Sequence, residues 1–222
     1  MRIAAETERM RKRGTRVETV YSDLMGKILS GALPGGTELN EVVLAQEMCV
    51  SRTPVHEALL RLAHDGLVEN PINRTARVIR LTRQDILHLY EARKIVESGA
   101  VALATTRLPD RQLAALEEKA TALADTMEQP DWAAQALAFD IQFHDVIAAG
   151  TGNPHLRSQI ARYRLLVRSF CKLTGSVANL KQAFQEHREI LKALQQRDSV
   201  AASALMTAHI EARLQVVLRE IS

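Results

Sequence analysis

Apolar residues recur along most of this chain with helical spacing, interrupted by one short stretch of strand-like character. Val20, Leu24, Ile28 and Leu29 mark one side of a helix predicted over about 17–30, which Gly31 stops before the LPGG turn at 33–36. Asn40 can cap a helix from Glu41 to Met48. After a tight turn at Cys49-Val50, Ser51 can cap a second helix from Arg52 to about His64. Pro54 falls in the first turn of that helix, where its missing N–H is harmless, and Gly66 ends it. Leu67–Glu69 and Arg77–Ile79 read as strands joined by a polar tip from Pro71 to Ala76. Beyond Leu81 no strand signal returns. Thr82 can cap a long helix to about Thr106, followed by helices over about 110–128, 131–149, 154–173, 177–196 and 198–220. Pro109, Pro130, the GTGNP segment at 150–154 and Gly175 separate them.

Two short helices joined by a tight turn, a helix before them and a hairpin after them describe a winged helix-turn-helix. The predicted fold is therefore mainly α: a winged helix-turn-helix of three helices plus a small β-hairpin over residues 17–81, then an all-α, six-helix antiparallel bundle over 82–222. Residues 1–16 carry Arg9, Arg11, Lys12, Arg13 and Arg16 without apolar periodicity, and read as a basic flexible arm, either a solvated tail or a phosphate contact.

Composition narrows the class. Of 222 residues 46% are hydrophobic, 25% charged and only 4% aromatic, the balance of an ordinary helical globular protein. No apolar run approaches the roughly 20 residues needed to span a bilayer, and the N-terminus has no apolar core of a signal peptide. Two cysteines are too few for a disulfide framework and suit a reducing compartment, so a cytoplasmic location is expected. A net charge of +3 permits nucleic-acid binding without requiring it.

The second helix of the turn motif carries the first candidate chemistry. Val55, Leu59, Leu62 and Ala63 are expected to face the core, leaving Arg52, Thr53 and His56 at the exposed N-terminal end that would meet base edges. Arg52 could fork onto guanine O6 and N7, and Thr53 could hold a phosphate. The bland alternative is a three-helix packing module with a surface arginine.

The second candidate lies in seams where the pattern asks for apolar residues. Asp140 and His144 interrupt the seam Leu137, Ile147. His187 interrupts Leu180, Phe184, Leu191, Leu194, and His209 interrupts Ala202, Leu205, Ala212, Val216. A single such histidine is more often a satisfied core residue. Three on separate seams, with a carboxylate at i, i+4 from the first, suit a divalent cation held between facing helices. Three imidazoles and one carboxylate fit Zn²⁺ best, with Ni²⁺, Mn²⁺ or Fe²⁺ also compatible. Arg93 sits on the seam Ile86, Leu89, Val96, Ala100, Leu103. It reads either as a clamp on the carboxylate of a ligand or as an intrahelical partner of Glu97. Arg157, Arg164 and Arg168 form a stripe read as surface, Arg164 alternatively as an effector contact.

The segment VSRTPVHEALLRLAHDGLVE resembles the recognition-helix signature of the GntR family of bacterial regulators, and residues from about Val17 to Leu81 are similar to their winged domain. EARKIVESGA, FDIQFHDVIAAGTGNPHL, EHREILKAL and AHI resemble the ligand-binding domain of the FadR-type branch, six helices suggesting its VanR-like subgroup. The resemblance implies DNA contacts from Arg52 and Thr53, and a wing at Asn73-Arg74-Thr75 that enters or flanks the minor groove. It also implies a metal held by Asp140, His144, His187 and His209, and a small organic acid facing Arg93. Three departures stand out: His56 where the family usually has Arg, Cys49 where the turn usually has Gly, and Thr75 where the wing usually has Gly. The expected function is a homodimeric repressor that reads a palindromic double-stranded operator and responds to a small carboxylate, with no enzymatic activity and no membrane partner. A helical-bundle metalloenzyme, or a DNA-binding module whose second domain only dimerises, are the rivals.

Overall fold

A computed structural model describes residues 2–72, 74–170 and 176–220; Asn73 of the expected wing lies outside them. The chain divides into two compact units. The first runs to Leu81 and takes in a short later segment from Leu165; the second holds the rest, from Thr82 onward.

The first unit contains α1 (Arg2–Leu29), β1 (Glu38–Leu39), α2 (Glu41–Glu47), α3 (Arg52–His64), β2 (Val68–Glu69) and β3 (Ala76–Val78). Asn40 caps α2 by accepting from the amides of Val42 and Val43 at 2.9 and 3.3 Å. Ser51 occupies the cap position of α3 but its side chain makes no capping bond. Gly31 and Gly66, both at positive φ, end α1 and follow α3. Val20, Leu24 and Ile28 of α1 meet Val55, Leu59 and Leu62 of α3 and Leu39, Val68, Ala76 and Val78 of the sheet in one core.

Two features differ from the sequence expectation. The segment expected as a basic flexible arm over 1–16 is helical from Arg2, continuous with the rest of α1. It is rich in Ala, Glu, Arg, Lys and Met, strong helix formers, and Gly14 alone is too weak a breaker to interrupt it. The expected hairpin is present as β2 and β3, and β1 adds a third strand, giving an antiparallel sheet in the order β1-β3-β2 with Leu39 opposite Ala76 and Val68 opposite Val78. β1 is only two residues long, so its alternation is too short to read without its partner.

The second unit is all helical: α4 (Arg83–Arg107), α5 (Asp110–Asp125), α6 (Trp132–Gly150), the start of α7 (Pro154–Phe170), α8 (Val177–Gln195) and α9 (Ser199–Glu220). Thr82 and Asp85 form a reciprocal capping box at the head of α4. α4 packs along α9 and touches α6 and α8, while α8 also lies against α5, α6 and α9. Among the described residues no helix is long and apolar enough to cross a membrane.

Cys49, between α2 and α3, sits at φ 52°, in the left-handed region where a β-carbon is strained. Replacing it by glycine removes that strain. Cys49→Gly is expected to raise the stability of the first unit by about 0.5–1 kcal/mol, read as an upward shift of its denaturant midpoint. A lower midpoint would mean that the thiol's own contacts outweigh the strain.

Candidate metal centre and DNA-reading helix

α6 projects Asp140 and His144 one turn apart, α8 projects His187, and α9 projects His209. One ligand atom from each of the four lies within 4.8 Å of all the others. His144 Nε2 is 3.2 Å from His187 Nε2, which is 3.3 Å from His209 Nε2. Asp140 Oδ1 stands 3.6 Å from His187 Nε2 and 3.8 Å from His144 Nε2. Four ligands about 2.0–2.1 Å from a tetrahedral cation stand about 3.3 Å apart, so the imidazole spacing already fits. The carboxylate lies slightly wider because its other oxygen, Oδ2, accepts from the Arg164 guanidinium.

The far nitrogens of two rings are held by carboxylates. His144 Nδ1 is 2.8 Å from Glu97 Oε2, and His209 Nδ1 is 2.7 Å from Glu186 Oε2. Each Nδ1–H therefore donates outward and leaves Nε2 as a bare lone pair aimed at the cluster. A proton on His187 Nε2 can satisfy only one of its two neighbours. A cation satisfies every lone pair together, so the residues present fit a metal. All three rings are at most 2% exposed. Burial, aided by the Arg164 charge, pushes His144 down to about 4, and burial with His209 nearby pushes His187 down as well. Both rings are thus neutral near pH 7 and need lose no proton to ligate. Burial alone would raise the Asp140 carboxyl, but Arg164 and then the imidazoles hold it well below the usual carboxylate range.

Arg93 is buried on α4 and its Nε donates to Glu97 Oε1 at 2.7 Å, with the guanidinium 4.9 Å from the Tyr90 ring centroid. The structure thus contains the intrahelical pair that competes with the clamp reading. It also joins the two candidate sites, because Glu97 accepts from Arg93 with Oε1 while its Oε2 stands 2.8 Å from His144 Nδ1. Burial opposes ionisation of Glu97, but Arg93 and His144 overcome it and keep the carboxylate charged. Phe143, 4.5 Å centroid to centroid from His187, and Phe139 behind it supply an apolar wall.

The seams needed correction in places. Leu137 and Leu103 are partly exposed, and the buried line of α4 instead runs through Ile86, Tyr90, Arg93, Glu97, Ala100 and Ala104. Arg164, read as surface, is mostly buried against Asp140. Glu186 gave no signal, since a glutamate beside a seam histidine looks like any solvated one. The Glu97–His144 pairing joins two helices, so no spacing along one helix announces it.

In the first unit Arg52, Thr53 and His56 are all exposed at the N-terminal end of α3, and Arg74 and Thr75 are exposed in the connection from β2 to β3. Glu41, the first residue of α2, bridges two of them: Oε1 is 2.7 Å from His56 Nδ1 and Oε2 is 3.2 Å from Arg52 Nη2. The His56 hydrogen bond, then Arg52, hold the Glu41 carboxyl below its ordinary range. Sequence reasoning missed Glu41, eleven residues before Arg52 and on another helix.

Residues 16–78 match the bacterial regulatory proteins of the gntR family, and residues 88–212, more than half of the chain, match the FCD domain. That pairing is the architecture of a DNA-binding transcription regulator rather than an enzyme. The chain belongs to the GntR family, in the FadR-type branch that carries an FCD domain. It is 28% identical over 186 residues to the Nta operon transcriptional regulator of Aminobacter aminovorans, covering 84% of this chain and 87% of that one. It is also 28% identical over 184 residues to the gluconate operon transcriptional repressor of Bacillus subtilis, covering 81% and 72%. The solved structure of E. coli McbR/YncC shares the fold, with a TM-score of 0.77 at 23% identity over 93% of this chain and 99% of that one.

Two outcomes test this geometry. Glu97→Ala and Glu186→Ala should each weaken Zn²⁺ binding about 10–100-fold in competition with a chromophoric chelator, because each removes the acceptor that holds one imidazole. Unchanged affinity would reduce both carboxylates to packing. Separately, chelator-treated protein should lose stability on acidification. The unfolded chain takes up protons at its histidines below about pH 6.5, whereas folded His144 resists until about 4. The stability present above 6.5 is therefore lost as pH falls through that window, on the order of 3 kcal/mol for His144 alone. Thermal unfolding followed by the buried Trp132 reads it, and a midpoint flat across the window would show the rings already protonated in the fold.

Proposed function

We propose that this protein is a repressor that binds a palindromic operator as a homodimer and releases it when a small organic acid binds at a metal held by Asp140, His144, His187 and His209. The observation that carries the reading is the convergence of three imidazole Nε2 atoms and one carboxylate oxygen, with two of the rings backed by glutamates, Glu97 buried and Glu186 partly buried. A divalent cation there, Zn²⁺ or alternatively Ni²⁺, Mn²⁺ or Fe²⁺, would supply a positive, Lewis-acidic anchor for a carboxylate. Arg93 is the protein's own contribution to effector binding. Glu97 fixes its guanidinium and holds His144 as well, so a ligand that redirects Arg93 alters the support of a metal ligand at the same time. Arg164, already on Asp140, is the second cation within the same cluster.

Dimerisation is supported by an apolar strip on α4. Ile95 is 71% exposed, Leu103 is 36% exposed, and Gly99 between them leaves open space. Two recognition helices carried by one dimer would match the two halves of a palindrome. Arg52 would specify a base, Thr53 and His56 would position α3, and the wing at Asn73, Arg74 and Thr75 would add minor-groove contacts. Coupling between effector and DNA of about 1–3 kcal/mol is enough to switch occupancy. Repression follows the relatives named as repressors, six helices among the described residues beyond Thr82 agree with the VanR-like subgroup, and the setting is cytoplasmic.

Native mass spectrometry of the wild type beside a His187→Ala/His209→Ala variant tests the sensing half. A dimer with about one metal ion per chain, lost in the variant, is the expected result; a wild type that stays empty after incubation with Zn²⁺ and Ni²⁺ would leave the histidines as core packing. For the DNA half, Arg52→Ala should reduce affinity for the operator at least about tenfold while barely affecting random duplex. Equal losses on both would make Arg52 a phosphate contact.

A further inference from the structure

We propose that Glu41 is a positioning residue that fixes which hydrogen-bonding edge His56 shows to DNA, and that His56 in consequence selects an amino-bearing base, adenine or cytosine, on the strand it faces. The inference rests on α3 being the helix that reads the operator.

Glu41 is set at the first turn of α2, whose start Asn40 caps, so its side chain leaves a fixed point of the backbone. It reaches across to α3 and engages Arg52 and His56, which lie one turn apart on the same helix. The carboxylate is ionised, with the His56 hydrogen bond and the Arg52 charge both favouring that form. An ionised carboxylate can only accept, so the proton in the 2.7 Å contact belongs to His56 Nδ1. A neutral imidazole carries a single N–H. With it committed to Glu41, Nε2 on the opposite side of the ring is a bare acceptor. The ring is 52% exposed, whereas Glu41 is only 25% exposed, so the acceptor edge is the accessible one.

Arg52 meets the same carboxylate through Nη2 alone, and its side chain is 67% exposed. A guanidinium has five N–H groups, so most of its donors remain for guanine or phosphate. The N-terminal end of α3 therefore shows DNA a donor at Arg52 and an acceptor one turn later at His56. In the major groove the exocyclic amines of adenine N6 and cytosine N4 are donors, whereas the keto oxygens of guanine O6 and thymine O4 are acceptors. An acceptor at His56 pairs with the first set and repels the second. The pattern distinguishes amino from keto bases on one strand, which is a different code from that of two arginines in the same places.

Selection of binding sites from a randomised duplex library, using the full chain at about pH 8 where an ordinary imidazole is neutral, tests the assignment. Wild type should enrich adenine or cytosine over guanine or thymine by roughly tenfold at one position in each half-site. His56→Ala should erase the preference at that position only. Glu41→Gln should keep it, because the carboxamide oxygen also accepts from Nδ1–H, whereas Glu41→Ala should flatten it by freeing either tautomer. Guanine or thymine at that position in the wild type, or an intact preference in Glu41→Ala, would overturn the proposal. Loss in Glu41→Gln as complete as in Glu41→Ala would trace the effect to charge and overturn the tautomer account. Failure of the wild type to enrich any sequence would overturn the DNA-reading assignment itself, and this refinement with it.

Discussion

Glu97 is buried to within 2% of its surface, yet it is charged, and much of the second unit is arranged to make that tolerable. An isolated carboxylate in such a place would be protonated or would not be buried. Here one oxygen takes the Arg93 Nε–H and the other faces the His144 Nδ1–H. The consequence runs outward from that pair. With Nδ1 engaged, His144 can only offer a lone pair at Nε2, and with Glu186 holding His209 in the same way a second lone pair faces it from α9. His187 is left between two acceptors, and Asp140, kept ionised by Arg164, closes the fourth side. Three helices thus share a geometry that a cation would complete, with carboxylates standing behind two of the rings.

The same device appears in smaller form in the first unit. Glu41 accepts from His56 and Arg52, both on α3, much as Glu97 accepts from Arg93 on its own helix and faces His144 on another: in each case one carboxylate orients a histidine and an arginine. The difference is solvent. The buried version is little screened, whereas the exposed one is screened by water and acts on His56 through a single hydrogen bond.

The helices of the second unit were legible because each carries its own punctuation. Thr82, Pro109, Pro130 and the Gly150–Pro154 segment act within a few residues of the boundary they mark, and local effects are what a linear pattern records. The turn motif was legible for the same reason, whereas the left-handed conformation at Cys49 shows only in the structure. The extent of α1 was not, because a run of charges lacks apolar periodicity whether it is a tail or a solvated helix. β1 escaped notice since two residues have no period, and only pairing with β3 defines it.

The sequence by itself determined that Asp140, His144, His187 and His209 stand where apolar side chains belong, and that Arg52, Thr53 and His56 stand where they do not. Both facts follow from helical repeat and are independent of any partner. Only the tertiary structure decided what holds those groups: Glu97 for both Arg93 and His144, Glu186 for His209, Arg164 for Asp140 and Glu41 for His56. Apart from the Arg93–Glu97 pair within α4, these contacts join residues on different helices. Their distances are set by how the helices pack, and spacing along a single helix carries no record of that.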